Sequence, residues 1–192
     1  MPESLDFPEP LTDDEIAEAT VGDPVRLDGR IELQAPDPSW AHLYAREEAR
    51  IRSVLGGKAL LVEHVGSTAV PKLAAKPIID LVLAVVDSSD EESYVPAMEA
   101  AGYILTIREE EWFEHRLFKG PDTTVNLHVF SEGAAEIVRM IAFRDHLRTN
   151  PEDRTLYENV KRDLASRHWK FVQNYADAKS LVIAEIMKRA LI

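Results

Sequence analysis

Apolar positions in this chain follow two periods. Runs at 59–65, 78–86, 103–106, 115–119 and 124–130 predict strands, and the longest, 78–86, predicts one buried on both faces. His115–Lys119 and Thr124–Phe130 flank Gly120-Pro121-Asp122, which predicts an antiparallel hairpin. Arg30–Gln34 predicts a short edge strand. Helical spacing governs the rest. Asp37-Pro38-Ser39-Trp40 supplies a cap and a first turn for a helix to Leu55, which Gly56-Gly57 closes. Ser88 or Ser89, followed by Asp90, Glu91 and Glu92, opens a helix to Ala101, and Gly102 stops it. Glu109-Glu110-Glu111 reads as a solvated turn. From Gly133 onward three helices are predicted at about 134–148, 151–168 and 172–191, the second opened by Asn150-Pro151 with Asp153.

This order predicts an α/β (α+β) domain over 30–192: a mixed β-sheet flanked by helices, with a helical C-terminal region over about 134–192. No Gly-rich turn joins a strand to a long helix, so the order does not suit a doubly wound dinucleotide fold. Residues 1–29 are rich in proline and acid and read as a mobile or loosely docked extension. Within it Thr12 and Glu15 have capping-box spacing.

Composition narrows the chemistry. The chain has 192 residues, enough for one sizeable core, and no cysteine, which removes disulfides, thiolate catalysis and Cys-based zinc sites. No apolar run nears the roughly 20 residues of a membrane span, so the expected location is cytoplasmic. The net charge is −12, but it is uneven. Residues 1–30 carry nine acids against two arginines, whereas 135–192 carry eleven Lys/Arg against eight acids. The overall acidity argues against non-specific nucleic-acid binding. It leaves room for an anionic ligand at the C-terminal half.

Asp80 is the informative residue, because a carboxylate in a strand buried on both faces must be paired, metal-bound or open to a cleft. Thirteen residues earlier Gly66-Ser67 follows the preceding strand, and with Thr68 it could present N–H groups to an anion. An anion-binding turn beside a strand-borne carboxylate is the layout of a metal–nucleotide site, with Mg²⁺ between carboxylate and phosphate. His128 and Asn126 share a face of 124–130, and His115 lies on the hairpin partner. If 78–86 neighbours 124–130, Asp80 and His128 can meet, and His128 becomes a candidate metal ligand or general base. Arg144, Arg148, Lys161 and Lys179 stand at helical spacing with Tyr157 and Tyr175, which suggests a cationic wall for phosphates with tyrosines against a base or the lysine stems. Lys76 adds a further charge. For each of these residues taken singly, a solvated or core-edge role is the simpler alternative.

Several of these segments together resemble the GrpB family: HVGSTAVPKLAAKPIIDLVLAV at 64–85, NLHVF at 126–130, FRDHLRTNP at 143–151, and the Tyr157/Lys161 and Tyr175/Lys179 pairs. The likeness covers about residues 30–192. That family usually has glycine where this chain has Lys72, which implies a changed turn. The family looks similar to the nucleotidyltransferase superfamily. The resemblance implies a Gly66-Ser67 turn gripping nucleotide phosphates and Asp80 binding Mg²⁺, with Mn²⁺ or Zn²⁺ as alternatives and His128 near the place of a third carboxylate. Active members of that superfamily carry two carboxylates two residues apart, and here Ile78 and Val82 flank Asp80 at that spacing. The expected function is therefore a nucleotidyltransferase-like protein binding a nucleotide or phosphorylated small molecule, with catalysis open. The alternatives are a non-catalytic nucleotide-binding or regulatory module, and a metal-dependent hydrolase using Asp80 and His128.

Overall fold

The computed structural model describes residues 12–22 and 31–190. Five strands, β1 (Leu61–Val65), β2 (Ile79–Val85), β3 (Ile104–Glu109), β4 (His115–Lys119) and β5 (Val125–Ser131), form one mixed sheet in the order β1-β2-β5-β4-β3. Only β2 and β5 run parallel, and the other neighbours are antiparallel. The fold is thus mixed α+β, with the expected hairpin present as β4 and β5. The predicted edge strand at 30–34 is not formed among the described residues. Gln34 instead makes an isolated bridge to Ala75, exchanging backbone bonds of 2.8 and 3.0 Å. Its partner segment is a turn-rich connection that offers no continuous ladder.

Strand pleating divides the residues of β2 and β5 between two faces. Ile79, Leu81, Leu83 and Val85, with Val125, Leu127 and Val129, pack on α2 (Ser39–Leu55) and α3 (Val95–Ala100). α2 opens where the Asp37 carboxylate accepts the Ser39 N–H and closes at Gly56, whose φ is 54°. α3 is shorter than the helix expected over 88–101. Glu91–Ser93 form a separate 3-10 turn, and Pro96 sits in the first turn of the helix.

Val82, Ala84 and Phe130 face the other way, against Ile137 of α4 (Ala135–Thr149). The C-terminal layer continues with α5 (Pro151–Ala165), α6 (Val172–Asp177) and α7 (Ser180–Ala190). Asn150 caps α5 by accepting the Asp153 N–H at 3.0 Å, as its Asn-Pro start predicts. The single helix expected over 172–191 is broken around Ala178 and Lys179.

From the acidic N-terminal stretch, α1 (Asp13–Ala19) carries the Thr12/Glu15 capping box and buries Ile16. It reaches β3 through a Thr20–Ile107 bridge and a 2.8 Å bond from Val21 N–H to Thr106 O. The remaining residues of the predicted extension lie outside those described.

Candidate functional site

A cavity of about 400 Å³ lies between the second face of the sheet and the C-terminal helices, with Ile16, Ala19 and Thr20 of α1 on its wall. Strand alternation turns Asp80 of β2, Asn126 and His128 of β5, and Lys119 of β4 onto this face. Two rows of polar side chains cross the sheet here.

The first row follows the strand register, Asp80 beside Asn126 and Asn126 beside Lys119. Asn126 Nδ2 donates to Asp80 Oδ1 at 2.8 Å, and its Oδ1 accepts from Lys119 Nζ. The amide is therefore held between an anion and a cation, which fixes its orientation. Burial raises the Asp80 pKa, while Asn126 and the ammonium groups of Lys179, Lys119 and Lys76 oppose the rise. Burial lowers the pKa values of Lys76 and Lys119. The Asp80 carboxylate is thus the one on which three lysines act, across a confined and largely apolar space.

The second row spans β3, β4 and β5. Glu109 Oε2 lies 2.6 Å from His115 Nδ1, and His115 Nε2 lies 3.0 Å from His128 Nδ1. The two imidazoles are within 21° of coplanar, with centroids 5.2 Å apart, so the N···N contact lies close to the ring planes. Trp112 and Phe130 enclose His115, which is 3% exposed. Glu109 was expected in a solvated turn. It closes β3 instead, directly opposite His115 in the ladder.

Gly66, Lys76, Asp80, His128 and Lys179 all line the cavity, as do Lys119, Asn126 and Glu109. Ser67 and Thr68 stand behind this wall and hold the turn. Thr68 Oγ1 donates to Ile78 O at 2.9 Å and lies 3.0 Å from His64 Nε2. Lys161 Nζ donates to Ser67 Oγ at 3.1 Å and to Ala74 O, and burial brings its pKa down to about 7. Arg144 lies away from the cavity, bonding Glu63, Asp145 and His64 O. Arg148 donates to Ala69 O and Asp145. Tyr157 and Tyr175 do line the cavity, with Lys161 over the first ring and Lys179 over the second. Lys119 was not singled out by its sequence. Its signal is the alternation His115, Leu117, Lys119, which places all three on one face of the hairpin.

Lys72 keeps the backbone that a glycine would adopt. Its φ is 68°, and Leu73 N–H bonds Val70 O across it, so the turn expected to change retains its left-handed residue.

A family model described as GrpB protein matches residues 30–189. A UPF0157 protein of Halalkalibacterium halodurans is 60% identical, over 94% of this chain and 93% of its own. Another, of Streptomyces coelicolor, is 48% identical over 88% of both chains. A protein of Mycolicibacterium paratuberculosis named dephospho-CoA kinase is 28% identical, over 83% of this chain and 46% of its own. The crystal structure of conserved protein GrpB from Enterococcus faecalis superposes with a TM-score of 0.72 at 34% identity, covering 83% of this chain and 97% of that one. No helix among the described residues is long and apolar enough to cross a membrane.

Proposed function

The chain belongs to the GrpB family, and from that premise we propose that its cavity binds a nucleotide or another phosphorylated small molecule. The observation that carries this reading is the set of three cavity-lining lysines, Lys76, Lys119 and Lys179, around the Asp80 carboxylate. Asp80 neutralises one positive charge of three, and Glu109, the second carboxylate on the cavity wall, is engaged by His115. A phosphorylated ligand supplies the balance, because ammonium groups in a confined site bind phosphate strongly. Phe143, Tyr157, Phe171 and Tyr175 on the opposite wall offer ring faces for a base. Two proteins named dephospho-CoA kinase share this segment over 46% of their own length, which is consistent with the same ligand class.

A resident divalent metal does not fit this donor set. Among the described residues no group of three or more His, Asp and Glu side chains is placed to hold a metal ion. Asn126 turns its N–H, not its carbonyl, to Asp80, and three ammonium groups repel a dication there. The positions that would supply a second carboxylate are an apolar cavity residue, Ile78, and a fully buried core residue, Val82. In this reading the lysines take the charge-neutralising role that Mg²⁺ has in the nucleotidyltransferases the sequence resembles.

Calorimetric titration with ATP, GTP, CTP and UTP, each with and without Mg²⁺, tests the proposal. Binding of at least one that persists when Mg²⁺ is chelated is the expected result. Absence of binding by all four, and by inorganic pyrophosphate, overturns it. The alternative of a non-catalytic module draws on the missing second carboxylate at Ile78 or Val82 and predicts binding with no product formed.

A further inference from the structure

We propose that Glu109, His115 and His128 form a proton relay whose cavity end, His128 Nε2, acts as a general base on an O–H group beside the bound phosphorylated ligand. The ligand class rests on the reading above, while the relay rests on its own geometry.

The hydrogen bonds assign the tautomers. The Glu109 carboxylate can only accept, so His115 donates from Nδ1 at 2.6 Å. A neutral His115 then carries its lone pair on Nε2. His128 must donate to that lone pair from Nδ1, at 3.0 Å. The remaining lone pair of the chain lies on His128 Nε2. His128 lines the cavity, and no bond to its Nε2 is made among the described residues. A carboxylate two residues removed thus sets a cavity-facing nitrogen as acceptor, by the logic through which a buried aspartate orients the histidine of a hydrolytic triad.

The second imidazole also gives the incoming proton a place to rest. A cation on His128 alone is disfavoured by burial, by His115 and by Lys119. If His128 accepts at Nε2 and passes its Nδ1 proton to His115 Nε2, the positive charge settles on His115, against the Glu109 carboxylate. His128 changes tautomer, His115 becomes the imidazolium, and one proton is gained.

In the step this permits, a water or alcohol O–H loses its proton to His128 Nε2 while its oxygen forms a bond to phosphorus. The P–O bond to the leaving phosphate breaks, and its electron pair departs with that oxygen, beside the lysines. The proton leaves by the reverse path, from His115 Nε2 to His128 Nδ1 and from His128 Nε2 to the departing phosphate or to water in the cavity, which restores both tautomers.

Packing alone does not require this arrangement, since Trp112 and Phe130 could enclose an apolar side chain at 115 equally well. The burial of His115 between a carboxylate and a second imidazole is the feature that a structural role leaves unaccounted for.

Nitrogen-15 NMR of histidine-labelled protein at neutral pH tests the relay, with the His128 signals identified by their loss in His128→Gln. The expected state is Nδ1 protonated and Nε2 bare. Glu109→Gln removes the anion that holds the proton on His115 Nδ1, and its amide can donate there as well as accept, so the fraction of His128 carrying its proton on Nε2 should rise. A protonated Nε2 in the parent protein, or a fraction that Glu109→Gln leaves unchanged, overturns the relay. The base role is read from phosphate or pyrophosphate release with the four nucleoside triphosphates. Release should fall about 100-fold in His128→Gln and Glu109→Gln, with the nucleotide's melting-temperature shift retained. Binding without release in the parent protein, or release that His128→Gln leaves intact, overturns the base role. Absence of both binding and release overturns the ligand reading, and the base role with it, while the tautomers decide the relay.

Discussion

Gly66 and Asp80 occupy one space between them. Gly66 has φ 69° and ψ −171°, a region reserved for glycine, and a Cβ built on it would lie 2.9 Å from Asp80 Cβ and closer still to the carboxylate. Gly66→Ala should therefore strain the turn and displace Asp80 from Asn126. A loss of about 2 kcal/mol or more in urea unfolding is expected, together with weaker ligand binding. Unchanged stability would mean that the turn relaxes without cost.

Lys72 is the reverse case. It is an exposed lysine at φ 68°, where no side chain is needed and glycine is unstrained. Lys72→Gly should raise stability by about 0.5–1 kcal/mol, because the relief of left-handed strain exceeds the extra freedom glycine gives the unfolded chain. Urea midpoints of the two proteins at equal slope check this.

Lys119 is the lysine tied directly into the Asp80–Asn126 row. Lys119→Met should weaken binding of a phosphorylated ligand about tenfold to a hundredfold, the range for a lost bond to a charged group. Its effect on melting temperature should be small or positive, since a half-buried ammonium is replaced by an apolar side chain of similar length. Calorimetry and thermal unfolding of the same preparation separate the two effects.

Lys161 gives a pH signature. It is 2% exposed, and burial lowers its pKa to about 7, against about 10.4 in an unfolded chain. Between those values the unfolded state holds the extra proton, so the contribution of this group to stability rises with pH above about 7 and is flat below it. Relative to Lys161→Met, the parent protein should gain up to about 1.4 kcal/mol per pH unit between pH 7 and 9. Parallel stability curves would show that Lys161 keeps its proton when folded.

Strand positions were legible where the apolar run was long. The β2 run announced its burial, and the capping signals placed the starts of α2 and α5 within a residue or two. The break between α6 and α7 carried no glycine or proline to signal it. For the site, alternation placed Asp80 and His128 correctly on one face once the strands paired in parallel, about two residues apart in register. Glu109 was missed because a run of three acids looks solvated in sequence. Only the β3–β4 ladder, which is set by tertiary pairing, brings its first member to His115. Arg144 shared its helical spacing with the lysines, but sequence could not tell which helix face meets the cavity and which meets Glu63 of β1.

The strand order has a consequence for synthesis of the chain. β5 sits between β2 and β4, yet it is the last of the five strands to be made. Until residue 131 has emerged, β2 has one flank without a partner, and that flank belongs to a strand with six of its seven residues buried in the finished protein. Such an edge is a template for pairing with other chains. A nascent or truncated polypeptide ending before residue 125 should therefore aggregate readily. Arrival of β5 covers that edge and, in the same event, brings Asn126 to Asp80 and His128 to His115.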